Sequence, residues 1–158
     1  MTNLILFLLH KEKWLEKRVS EKELTLTGDD PDLQALGRIN PNNTVYNINM
    51  ASLEEPEKAI KFLRKINPLE SEKIAKDCIC IYGEFTFAGL VSQEEYAKLL
   101  HDAIRAFPTA EVMNLAGMVY VDEFNDWESA MRLGLLCKKK FGDTSIINYT
   151  KSSGIGPF

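Results

Sequence analysis

The stretch KDCICIYGEFTF, residues 76–87, decides how this chain is read. Cys78, Ile79, Cys80, Ile81 and Tyr82 form an unbroken apolar run, rich in β-branched and aromatic types that suit a pleated strand. In a strand, residues two apart face the same way. Cys78, Cys80 and Tyr82 then share one face and Ile79 and Ile81 the other, as expected for a strand covered on both sides. Free cysteine packs as a small hydrophobe, which accounts for both thiols without any reaction.

Rival roles for the thiols are poorly supported. Structural zinc takes four thiolate or imidazole ligands, commonly from Cys-x₂₋₄-Cys knuckles. Here the spacing is one residue, and only Cys137, His10 and His101 remain as further ligands. A nucleophilic cysteine needs a base or a helix N-terminus beside it, and nothing adjacent in sequence supplies one. No metal and no cofactor are expected.

The surrounding chain repeats the same theme. Strands are expected at residues 44–50 (TVYNINM), 77–82, 118–122 and 145–150 (SIINYT). Residues 84–88 either extend the second strand or return as a hairpin. Helices are expected between them. One lies near residues 52–66, starting at Ser52 or at Pro56, and a short one near 69–75. Another follows the Ser92–Glu95 capping box and stops at Pro108, with Tyr96, Leu99, Leu100, Ala103 and Phe107 on its apolar face. The last is capped by Asn125 or Asp126 and ends at Gly142.

Strands alternating with helices predict an α/β fold. The expectation is a single domain, 1–158, with a mostly parallel or mixed sheet of four to five strands and helical crossovers. A hairpin at residues 84–88 would shift the class to α+β. Residues 1–43 read as an N-terminal helix, from about Asn3 to Arg18, with a buried strand over residues 4–9 as the rival, and a connecting loop in which Asp30 caps a short turn of helix at Pro31. Residues 44–150 form the alternating body, and 151–158 a loose tail.

Charge narrows the function classes. The net charge is −4, spread evenly, with a sequence pI near 5.3. That argues against nucleic acid and for a basic partner or an uncharged one. Lys138, Lys139 and Lys140 sit where they complement a helix C-terminus. The six apolar residues 4–9 are too few to span a bilayer, and the charged HKEKWLEKR follows them, so neither a membrane anchor nor a signal peptide is expected. An odd count of three cysteines suits a reducing cytoplasm.

No motif specifies a reaction. The expectation is a small acidic cytoplasmic protein-interaction module without catalysis, of the inhibitor or immunity type. The alternative is a small α/β enzyme with a carboxylate-lined cleft at the strand ends. Its candidate residues are Glu84 and Asp122, as acid, base or metal ligand, and Lys151, to hold an anionic substrate. Asp122 and Glu123 also fit a bland role, preparing the helix that follows.

Overall fold

A computed structural model describes residues 2–158. Among the described residues every regular element is helical, and no strand is present. The α/β expectation is therefore overturned, with its sheet, its hairpin and its crossovers. The helices are α1 (Asn3–Glu21), α2 (Pro31–Ile39), α3 (Thr44–Leu53), α4 (Pro56–Leu63), α5 (Glu72–Phe87), α6 (Gln93–Ala106), α7 (Ala110–Asp122), α8 (Trp127–Phe141) and α9 (Ser145–Ser152).

The deciding stretch lies inside α5. Its buried residues are Ala75, Cys78, Ile79, Tyr82 and Phe85, at helical spacings of three and four. Cys78 and Cys80 are about 200° apart on that helix, so they do not share a face: Cys78 is buried and Cys80 exposed. The other expected strands fail likewise. Residues 44–50 form most of α3, which buries Asn47, Met50 and Ala51. Residues 118–122 end α7, which buries Val112, Met113, Ala116, Gly117, Tyr120 and Val121. Residues 145–150 begin α9, which buries Ile146, Ile147 and Thr150.

The common cause is window length. A run of five to seven apolar and β-branched residues fits either period, and the upstream caps settle the matter. The side chains of Asn43, Ser71 and Thr109 accept hydrogen bonds from the backbone N–H groups of Tyr46, Ile74 and Val112, three residues on. Each satisfies one donor that the first helical turn leaves free.

The chain divides into two compact units, Met1–Asn67 and Pro68–Phe158. The first holds α1 to α4. Its core is Leu15 and Val19 of α1, Leu26 of the α1–α2 connection, Leu33 and Leu36 of α2, and Met50 of α3. Asp30 caps α2 through Asp32 and Leu33, and its carboxylate together with that of Asp32 binds Lys22 at 3.1 and 2.5 Å. The Lys22 ammonium holds the Asp32 carboxyl below the ordinary range; on Asp30 burial is the largest single influence and pushes the other way, but hydrogen bonds from the Leu33 N–H and then Lys22 keep its carboxyl low as well.

The α2–α3 loop is tied to α1 by amides. Asn43 Nδ2 donates to Glu12 Oε1 and Glu16 Oε1, each at 2.7 Å, and Asn40 Nδ2 donates to Glu12 Oε1 at 2.9 Å. This pins the middle of α1. The apolar side chains of its first two turns stay exposed, for a reason of length. α1 has 19 residues and spans about 28 Å at 1.5 Å per residue. α2, α3 and α4 have 9, 10 and 8.

The second unit packs α5 to α9 around Cys78, Ile79, Phe85, Tyr96, Leu100, Val112, Met113 and Cys137. Tyr96, Tyr120 and Phe124 stack edge-on or tilted, with Tyr96 Oη donating to the Ile79 carbonyl at 2.6 Å. α8 is capped by Asp126 and ends on Gly142, whose φ of 68° lies in the left-handed region. Phe158 at the chain end meets the Trp127 ring edge-on, with centroids 5.5 Å apart.

Two helical glycines let α9 sit close. A Cβ on Gly117 would lie 2.8 Å from Ile146 Cγ2, and one on Gly134 would lie 2.9 Å from Ile147 Cγ1 and 3.2 Å from the Ile147 backbone nitrogen. Gly134→Ala gains up to about 1 kcal/mol of helix propensity. It should still destabilise this unit by about 1–2 kcal/mol net, because overpacking against backbone costs about 1–3 kcal/mol. Each unit carries one tryptophan, Trp14 and Trp127, so urea unfolding of a Trp14→Phe background, followed by Trp127 fluorescence, measures it. A stabilised variant would refute the close approach of α9.

Candidate functional site

The three enzyme candidates fall on three helices. Glu84 is exposed on α5, Asp122 is the exposed last residue of α7, and Lys151 is exposed on α9, its Nζ 5.9 Å from the Phe158 ring centre. No hydrogen bond or ion pair joins any two of them among the described residues. No group of three or more metal-ligating side chains occurs among those residues either. Glu123, next to Asp122, reaches toward α5: its Oε1 is 3.4 Å from where a Cβ on Gly83 would stand. Its charge adds to burial in pushing the Tyr96 phenol up.

The bland account of the three DEFND acids holds for only one of them. Asp126 is the N-cap of α8 and Glu128 lies in its first turn, where negative charge is favourable. Asp122 and Glu123 instead stand at the C-terminus of α7, whose last turn has no basic residue. Carboxylates there oppose the helix macrodipole, so helix stability does not explain them.

Asp122 borders, through its bond to Tyr149, a slot of about 140 Å³ between α7 and α9, lined by Asn114, Met118, Ser145, Ile146 and Tyr149. Asn114, Met118 and Asp122 recur every four residues along one ridge of α7. Tyr149 Oη donates to both oxygens of Asp122, at 2.6 and 2.7 Å, and that bond raises the phenol pKa. At the other end, Asp143 Oδ2 accepts from Asn114 Nδ2 at 2.9 Å, and Asp143 Oδ1 accepts from the Ser145 N–H at 2.8 Å. Hydrogen bonds from Ser145, then from Asn114, hold the Asp143 carboxyl below its ordinary range.

The slot thus has an apolar floor of Met118, Ile146 and Tyr149 and a carboxylate beyond each end. Asn114 Oδ1 is sealed from solvent and accepts no hydrogen bond from the protein. Because Asn114 Nδ2 is committed to Asp143, the amide cannot flip to satisfy that oxygen. An apolar stem carrying a cationic N–H head matches this arrangement. A space of 140 Å³ is well below the few hundred typical of small-molecule sites, and suits one side chain.

A wider groove of about 440 Å³ lies on α3 and α4 in the first unit. It mixes Glu54 and Glu57 with Lys58 and Lys61 beside Met50 and Phe62, so it favours neither sign of charge. The sequence reading found Asp122 but not its partners. Asn114, Met118 and Asp122 lie on one line only when residues 110–122 are taken as a helix. Tyr149 and Asp143 join them only through the packing of α9.

No helix among the described residues is long and apolar enough to cross a membrane. Comparison with protein-family models, with curated proteins and with solved structures finds no match to this chain.

Proposed function

We propose that this protein is a non-catalytic interaction module of the inhibitor or immunity type, and that its α7–α9 slot takes a lysine or arginine side chain from a basic protein partner. The observation that carries this reading is the slot itself, apolar along its floor with a carboxylate beyond both ends. The aliphatic stem of the incoming residue lies on Met118, Ile146 and Tyr149. Its head meets Asp122 or Asp143. The acidic balance of the whole chain would speed encounter with such a partner and make it sensitive to salt.

Short capped peptides test it. Those holding one lysine or arginine should shift the backbone amide signals of α7 and α9, and peptides with norleucine or glutamine at that position should not. Asp122→Asn should weaken the lysine peptide by about 5- to 20-fold, in line with losing one charge-assisted bond of about 1–2 kcal/mol. Asp122 is exposed, so the variant keeps its fold. Equal shifts from lysine and norleucine peptides would remove the basis for the reading.

A further inference from the structure

The first two turns of α1 pose a separate question, independent of the α7–α9 slot. Residues 4–9 are all apolar and all exposed, from 41% for Leu8 to 67% for Leu4, with Phe7 at 63%. At 100° per residue these six positions cover the whole circumference of the helix. A helix apolar all round is one that is surrounded. One neighbouring helix laid alongside would cover a single side and leave the rest in water.

The next two turns show what surrounds it. Glu12 and Glu16 lie on the side of Leu15 and Val19, held by the amides of Asn40 and Asn43. The opposite side of the same turns carries His10, Lys13, Trp14 and Lys17, with Lys11 and Arg18 flanking Leu15. Lys11 Nζ stands 4.1 Å and Arg18 Cζ 5.0 Å from the Trp14 ring centre, and Arg18 also pairs with Asp32 at 3.0 Å. Trp14 is 47% exposed. The outward side of α1 is thus cationic and aromatic on a chain whose net charge is −4.

We infer that α1 docks the protein on an anionic lipid surface, with residues 4–9 entering the headgroup–acyl boundary and the basic collar meeting the lipid phosphates and carboxylates. Six helical residues extend about 9 Å, a short reach beside the roughly 30 Å thickness of the hydrocarbon core, so the tip enters one leaflet's boundary without crossing. Lipid covers a helix from every side, as this tip requires. Tryptophan and snorkelling lysines are the side chains that hold such a boundary. A second copy of the chain fits less well, because its own collar would bring like charges toward these.

Flotation of the full-length protein tests this, with vesicles of phosphatidylcholine alone and of phosphatidylcholine with phosphatidylserine, at low and high salt. Protein should float only with the phosphatidylserine vesicles, and high salt should release it. Leu4→Glu with Phe7→Glu should abolish flotation, and neutralising Lys11, Lys13 and Lys17 together to Gln should lower partitioning about a hundredfold. All five positions lie on the surface or at its edge, and unchanged circular dichroism confirms folding. Equal flotation on both vesicle types would overturn the inference, as would flotation indifferent to the Leu4 and Phe7 changes. Absence of flotation would overturn it too, and light scattering run in parallel would then assign the tip to a second copy if Phe7→Glu dispersed a dimer.

Discussion

Native protein treated with a thiol reagent at about pH 8 should lose one cysteine quickly and keep two until it unfolds. The fast thiol is Cys80, exposed on α5; Cys78 and Cys137 are buried, each with 0% exposure. Burial, with a smaller contribution from the Asp77 charge, pushes the Cys78 thiol from 9.0 up to about 12. At about pH 8 its reactive thiolate fraction is roughly one in ten thousand, against about one in ten for an ordinary thiol. Ionisation alone therefore slows Cys78 about a thousandfold, before steric exclusion is counted. Cys80 is itself pushed up by its surroundings and by Asp77, so it should react more slowly than free cysteine yet far faster than its neighbour. Mass spectrometry of the labelled peptides reads the result, and Cys80→Ser should erase the fast phase. Comparable protection of Cys78 and Cys80 would mean that the two thiols share a face, as a strand requires, and would overturn α5.

The same burial makes the second unit sensitive to alkali. The native state keeps a proton on Cys78 that the unfolded chain releases above its ordinary value of 9.0. The stability linked to that proton is complete below about pH 9 and is lost as pH rises toward about 12, up to about 4 kcal/mol in all. The raised phenols of Tyr96 and Tyr120 act in the same direction.

Asn43→Ala should destabilise the first unit by about 2–4 kcal/mol. Asn43 is 5% exposed and does two jobs at once. Its Oδ1 caps α3 by accepting from the Tyr46 N–H at 3.0 Å, and its Nδ2 bridges Glu12 and Glu16 of α1. A lost cap costs about 1 kcal/mol. Each bond to a carboxylate is worth about 1.5–3 kcal/mol, discounted here because both glutamates are only half buried and can regain water. For a unit of this size, with a total stability of about 3–10 kcal/mol, that is a large share. Urea unfolding in a Trp127→Phe background, followed by Trp14 fluorescence, isolates this unit. Asn43→Asp keeps the capping oxygen but sets a third carboxylate beside Glu12 and Glu16, so it should cost at least as much. A loss below about 0.5 kcal/mol for Asn43→Ala, the size of an ordinary surface change, would refute the bridge.

Helix boundaries marked by strong punctuation were legible. Asp30 with Pro31, Pro56, Ser92 and the Asp126-to-Gly142 span each carry a cap or stop whose chemistry acts over three or four residues. Three of the four segments taken as strands had equally good caps, in Asn43, Ser71 and Thr109. There the short apolar run outweighed them, because Val, Ile, Tyr and Cys suit a strand surface as well as a buried helical stripe. The candidate site was legible only at Asp122. Its partners lie 27 residues away at Tyr149 and, through Asn114, 29 residues from that residue at Asp143.

By itself the sequence determined where the strongly punctuated helices start and stop, the sign of the charge and the lack of a membrane-crossing run, since each depends on neighbours along the chain. Tertiary structure alone decided that the cysteines part company, that α9 lies against Gly117 and Gly134 to form the slot, and that the leucines of residues 4–9 stay uncovered. Those outcomes depend on how long each helix is beside the one it meets, and α1 outruns its neighbours by about half its length.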